Sequence, residues 1–180
     1  MDLVLETERL LIRPFKIGDE KGVFCFSSNP EVQKYTSNTV LKTIEEAVSL
    51  IKNVWLKDYD TYGYGRFAVI DKTTNKIIGF NGLKYISEIN QTDLGYRFLP
   101  EYWGKGIATE SSKAIITYAF DTLKLSQLIA FVEKENLAST SVLKKLGFAH
   151  NDTKPYPGET VDLFWYKLTK SEYQKKVNHV

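Results

Sequence analysis

The segment from Leu94 to Leu123 limits the fold more than any other part of the chain. Leu94-Gly-Tyr-Arg-Phe-Leu99 reads as a strand and is closed by Pro100. Glu101-Tyr-Trp-Gly-Lys-Gly106 then leads into a long helix, with Ala108, Ile115, Ala119 and Phe120 among its apolar positions, running to about Leu123. Free amides at such a helix start, together with the helix dipole, attract phosphate oxygens, and glycines let a ligand approach the main chain. A pyrophosphate fits there. Two well-known phosphate loops do not: a Rossmann fingerprint needs glycine where Thr109 stands, and a Walker loop needs glycine at Leu99 and Ser or Thr at Gly106. Taken alone, Gly104 and Gly106 are also compatible with a plain turn.

The remaining elements fall around this unit. Arg9 to Phe15 forms a strand with Pro14 at its end, and Gly18-Asp19 offers an N-cap for a short helix through Phe26. Thr43-Ile-Glu-Glu46 is a capping box, followed by Ala47, Leu50, Ile51, Val54 and Trp55 on one helical face. Phe67–Ile70 and Ile77–Leu83 flank the turn formers Asp71 to Asn75 and make a hairpin. Leu128–Val132 has the apolar run of a strand buried on both sides. Ser139–Leu146 is a helix stopped by Gly147, and Val161–Leu168 is a last strand after the turn Pro155 to Gly158. The expected product is one α/β (α+β) domain over residues 1–180, a mixed sheet flanked by helices.

Composition narrows the function classes. The 24 basic and 22 acidic side chains nearly cancel and form no long like-charged run, which argues against a nucleic-acid partner. The opening Met-Asp-Leu-Val-Leu-Glu lacks a signal-peptide pattern and no apolar run is long enough for a bilayer, so the expectation is a cytoplasmic protein without a membrane partner. One cysteine, Cys25, and two histidines, His150 and His179, cannot assemble a metal site, and none is expected. Cys25, between Phe24 and Phe26, reads as a buried free thiol rather than a nucleophile.

Three stretches in order resemble the GNAT superfamily of acetyltransferases. Lys105, Gly106, Ile107 and Ala108 satisfy the core of its cofactor loop, Gln/Arg-x-x-Gly-x-Gly/Ala, although Trp103 stands in place of the Gln/Arg. Asn136, Ser139 and Lys144-Lys-Leu-Gly-Phe148 match the Asn-x-x-Ser…Leu-x-Lys-Leu-Gly-Phe element of the branch containing ribosomal-protein alanine N-acetyltransferases. Glu8-Arg-Leu-Leu-Ile-Arg-Pro14 is similar to that branch's start. The resemblance implies a mostly antiparallel sheet split between its fourth and fifth strands, with acetyl-CoA in the gap. It implies pantetheine contacts from the backbone of Phe98 and Leu99, pyrophosphate contacts from Gly104, Lys105, Gly106, Ile107, Ala108 and Thr109, and a place for Trp103 among the cofactor-binding residues. Asn136 and Ser139 line the other side, a role compatible with helix capping. Pairing into homodimers is common in such proteins.

The implied reaction is acetyl transfer to a primary amine, on a protein N-terminus or on a small molecule such as a polyamine. An amine attacks only when unprotonated, so a proton must be removed. The departing thiolate then needs an acid, and the oxyanion needs a donor, for which the Leu99 amide is the expectation. Many relatives place a tyrosine acid where this chain has Leu143, leaving Ser139 as the substitute. The branch's glutamate base corresponds to Lys154, leaving Asp93 and Glu159 as candidate carboxylates, each of which reads first as a solvated surface acid. Glu110 reads as a dipole-complementing structural residue. Tyr35, Trp55, Tyr59, Tyr62 and Tyr64 are candidate acceptor-pocket walls around the loop Asp58 to Gly65, or ordinary packing, and Glu31, Glu45, Glu46 and Glu88 are surface charges able to attract a cationic amine. The departures at Leu143 and Lys154 also admit a second function, an acyl-CoA-binding module without turnover.

Overall fold

The structure is a computed structural model that describes residues 3–36 and 39–177; His179 lies outside the described residues. Among the described residues eight strands form one sheet in the order β1-β2-β3-β4-β5-β6-β8-β7, where β1 is Leu5–Glu6, β2 Leu10–Pro14, β3 Arg66–Asp71, β4 Lys76–Ile86, β5 Gln91–Phe98, β6 Gln127–Glu133, β7 Ala149–Pro155 and β8 Asp162–Thr169. Every neighbouring pair is antiparallel except β5 and β6. That parallel pair is the expected fourth and fifth strand, displaced by one in number because the two-residue β1 precedes the expected first strand.

The helices before β3 among the described residues are α1 (Glu20–Ser27), α2 (Pro30–Gln33), α3 (Ile44–Leu50) and α4 (Leu56–Tyr62), with a π-helical turn at Ile51–Trp55 joining the last two. The Thr43–Glu46 capping box starts α3. Asp19 stands at the head of α1, yet its carboxylate makes no cap: it is held by Arg13 at 2.7 and 2.8 Å. The expected loop from Asp58 to Gly65 is largely helix, since Gly63, left-handed at φ 74°, is a C-terminal stop for α4. Val54 is 39% exposed, because the π-turn rotates it off the apolar face expected for it.

After β5, a 3-10 turn at Pro100–Tyr102 precedes α5 (Ile107–Thr117), which is prolonged by a π-helical turn at Tyr118–Thr122; α6 is Leu137–Leu146 and α7 Lys170–Val177. Adjacent strand residues point to opposite faces. Phe80 meets Phe26 and Trp55 on one face, whereas Asn81 bonds Ser111 and Ser112 of α5 on the other. The early helices and α5 therefore cover opposite sides of the sheet, and the main core lies between them, with Phe15, Phe26, Phe67, Phe120 and Ile115 fully buried.

Candidate active site

The site begins where two strands part. β5 and β6 pair at the single bridge Asp93↔Ile129. Beyond it β5 stays bonded to β4 as far as Gly79↔Phe98, and β6 to β8 as far as Glu133↔Leu163. Each strand keeps its outer neighbour and diverges from its inner one, which opens a gap about five residues, or roughly 17 Å, deep.

Hydrogen-bonding direction alternates along an antiparallel pair. Leu99 donates its amide to Ile78 O at 2.9 Å, so its N–H is committed to β4. This corrects the expectation that the Leu99 amide serves pantetheine or oxyanion. By the same alternation the main-chain groups of Tyr96 and Phe98 face the gap. The Phe98 carbonyl already accepts from Trp103 Nε1 at 2.7 Å, which leaves the Phe98 amide as its contribution.

At the mouth of the gap, Gly104 (φ 70°) and Gly106 (φ 78°) are both left-handed, a conformation L side chains rarely adopt. A Cβ at Gly104 would meet nothing within 4 Å, and one at Gly106 only the Arg9 guanidinium at 3.6 Å, so their need is conformational and the space above them is open. Gly106 is the N-cap of α5 and brings no side chain to it, so the first-turn amides of Ile107, Ala108 and Thr109 point outward beside these glycines. Such donors and such space suit a pyrophosphate. An open depression of about 610 Å³ runs on along α5, lined among others by Gly106, Thr109, Lys113 and Lys145. Glu110 does more than complement the dipole. It accepts from Thr7 Oγ1 at 2.5 Å, Arg9 N at 2.9 Å and Arg9 Nε at 2.7 Å, tying the helix start to the segment before β2. Burial pushes its carboxyl up, but these hydrogen bonds outweigh burial and hold it below the usual range.

Across the gap, Asn136 caps α6: its Oδ1 accepts from Ser139 N at 3.1 Å. Leu143 is core, 1% exposed. A residue passed over in the sequence reaches this wall. Tyr96 sends its hydroxyl from β5 to Ser139 O at 3.4 Å, and burial pushes its phenol up to about 12. The alternation of Leu94, Tyr96 and Phe98 reads as ordinary core, so only the facing helix distinguishes it.

The opposite face of the gap is floored by β5 and β6 beneath the early helices. Asp93 is buried, not a solvated surface acid: it holds Arg66 Nη2 at 2.5 Å. The Arg66 guanidinium also donates to Gly82 O at 2.6 Å and lies flat over Gly95, where a Cβ would come within 2.7 Å of Nη2. Beside it Arg97, bonded to Gln33 Oε1 at 2.7 Å, is pushed down to about 10, mainly by burial and then by Arg66. Glu159 is exposed on the turn between β7 and β8. That turn brings Tyr156 against Phe131 and Trp165, and the Tyr156 phenol is pushed up by burial and by Glu88, Asp93 and Glu159. Lys154 pairs with Asp152 at 2.9 Å and lies over the Trp165 ring. Of the aromatic group, Trp55 stacks on Phe15 at 4.1 Å and Tyr59 donates to Arg66 O, so both are core; Tyr62 and Tyr35 are more open. Cys25 is exposed, since α1 turns Phe26 rather than its neighbour to the core. Among the described residues no group of three His, Cys, Asp or Glu side chains is placed to hold a metal, and no helix is long and apolar enough to cross a membrane.

A mixed sheet that splits between two parallel strands, with the uncapped amides of a helix start at the mouth of the split, is the architecture of an acyltransferase domain. The acetyltransferase (GNAT) domain family matches residues 9–149, and the chain belongs to that family of N-acetyltransferases. It is 33% identical to the uncharacterized N-acetyltransferase p20 of Bacillus licheniformis over 175 residues, covering 94% of this chain and 97% of p20. Among solved structures, a GNAT-family acetyltransferase from Bacillus anthracis superposes with a TM-score of 0.80 at 29% identity, covering 94% of this chain and 99% of that one. A ribosomal-protein-S5-alanine acetyltransferase from Vibrio fischeri shares the fold with a TM-score of 0.80 at 21% identity, covering 96% and 99%. Acetyl-CoA is the acyl donor of this family.

Proposed function

We propose that this enzyme transfers the acetyl group of acetyl-CoA directly to a primary amine, on a protein N-terminus or on a small molecule such as a polyamine. The observation that carries the reading is the parting of β5 and β6 beside the α5 N-terminus. The bound cofactor supplies an activated thioester. Amides of Ile107 to Thr109, with Gly104, Lys105 and Gly106, hold its pyrophosphate, and Trp103 frames the turn by its bond to Phe98 O. The amides of Phe98 and Tyr96 hold the arm, and one of them serves the oxyanion in place of Leu99. Asn136 and Ser139 close the far wall.

The amine enters from the face of the early helices. An alkylammonium has a reference pKa of about 10.4 and an α-ammonium about 8, so water in the cleft must carry a proton away. Of the two expected carboxylates, Glu159 is solvent-facing and suited to receive that proton, whereas Asp93 is engaged with Arg66 and positions the floor. Glu88 and Glu159 around Tyr156 favour a cationic acceptor at the rim.

The test is acetyl-CoA-dependent thiol release against spermidine and peptides beginning with Ala or Ser, with acetylated product identified by mass. Turnover on one class names the acceptor. Tight CoA binding with no release on any amine would instead support the binding-module reading and remove the catalytic assignments.

A further inference from the structure

The assignments above use the main chain of Tyr96 and leave its phenol side chain, which reaches across the gap, without a task. The gap closes at Asp93↔Ile129, so an arm entering by Gly104 and Gly106 and lying along β5 passes Phe98 and reaches Tyr96 before the strands rejoin. There the phenol crosses from the strand wall to the helix wall. Its hydroxyl lies 3.4 Å from the Ser139 carbonyl, far for an O–H···O bond, which prefers about 2.7–2.8 Å. That carbonyl also lies within α6, where it serves the helix. The hydroxyl therefore gives up little by turning to a better acceptor placed in the gap. Its ring is fixed independently by stacking on Phe98 at 6.4 Å between centroids.

We propose that Tyr96 donates its hydroxyl proton to the sulfur that leaves when the acetyl group is transferred, a role that rests on the amine acetyltransfer reading above. The amine nitrogen forms its bond to the acetyl carbon and loses a proton to cleft water. The C–S electron pair goes to sulfur as that bond breaks. Tyr96 Oη–H supplies the proton that makes the free thiol, and the oxygen regains one from water in the cleft, so the proton lost by the amine balances the one gained by sulfur. Burial holds the phenol in its protonated form at neutral pH, so the hydrogen to be donated is present there. Leu143 offers no proton, and Ser139 reaches the same place with its main chain.

The experiment compares Tyr96→Phe, which keeps the ring stack, with Ser139→Ala and the wild type. CoA affinity is measured by calorimetry, folding by thermal denaturation, and turnover as thiol release with amine and, separately, as acetyl-CoA hydrolysis, which expels the same thiolate with water as nucleophile. The expected result is a loss of about 100-fold in kcat for Tyr96→Phe in both reactions, with CoA affinity and melting temperature within error of wild type and a smaller loss for Ser139→Ala. A kcat kept within threefold overturns the proposal, as does a fall in CoA affinity that accounts for the whole loss. If wild type hydrolyses acetyl-CoA but acetylates no amine, the acceptor reading alone fails and the hydrolytic ratio still decides Tyr96. If it does neither, both fall.

Discussion

Replacing Asp93 separates a positioning role from a catalytic one. Its carboxylate and the Arg66 guanidinium have side chains only 7% and 13% exposed and meet at 2.5 Å. Removing one member of a buried pair costs roughly 3–5 kcal/mol because the other charge is left without its counterion. Here the lower end applies: Arg66 keeps the Gly82 carbonyl at 2.6 Å, with further carbonyls at 3.4 and 3.5 Å, and it is not fully enclosed. Asp93→Ala is therefore expected to lose about 3 kcal/mol, a large share of the 5–15 kcal/mol typical of a domain. Urea denaturation of Asp93→Ala, Arg66→Ala and the double variant gives the coupling, expected at about 2–3 kcal/mol. Under saturating substrate, folded Asp93→Asn should keep kcat within about tenfold. A kcat loss of 100-fold or more with stability nearly intact is the signature of a general base, and would refute the reasoning that Asp93 is committed to Arg66.

Three other perturbations address the cofactor side. Gly106→Ala meets no steric obstacle closer than 3.6 Å but must hold φ 78°, so it should cost about 1–2 kcal/mol and weaken CoA binding; urea titration and calorimetry check both, and a neutral result contradicts the cradle. Asn136→Ala removes the α6 cap and should cost about 1 kcal/mol, and Asn136→Asp should restore stability in thermal denaturation because it also accepts from Ser139 N. Glu110 has a folded pKa depressed below 4.5, so its contribution to stability is complete above that value and is lost as pH falls through the folded pKa. Glu110→Gln should accordingly flatten the acid side of the stability profile, and an unchanged slope below about pH 4.5 would show that the Thr7 and Arg9 bonds do not discriminate charge.

The sequence is most legible where period and punctuation agree. Thr43 with Glu46, Gly106 before α5 and Gly147 after α6 each announce a boundary that the backbone respects, and the Gly104–Gly106 turn locates the mouth of the gap. Elements without an apolar period are hidden. β7, Ala-His-Asn-Asp-Thr-Lys-Pro, is an edge strand exposed along most of its length, where polar residues discourage further pairing and erase the alternation that would mark it. The stretch through Asp58, Tyr59, Asp60 and Tyr62 looks like loop, but Tyr59 anchors α4 by donating to Arg66 O and accepting from Phe15 N at 3.0 Å. In the site, the glycine turn shows in the letters while the direction of each β5 amide does not. That direction depends on which residue pairs with Ile78, a fact of register that moves the gap-facing role from Leu99 to Tyr96 and Phe98.

The same register explains how the floor of the gap stays flat and still charged. Gly82 and Gly95 face each other across β4 and β5, leaving a side-chain vacancy on the face toward the early helices. Arg66 reaches into it from β3, so that one guanidinium takes the place of two side chains and clamps two strands through Gly82 O and Asp93. A β-carbon on Gly95 would strike that guanidinium at 2.7 Å, so the glycine, the arginine and the aspartate form one structural unit. The unit keeps β5 bonded to β4 at the level where it leaves β6. Stability of the outer pairing and opening of the inner one meet in a single arrangement, and the Asp93 carboxylate beside the parting of the strands is held in it by Arg66.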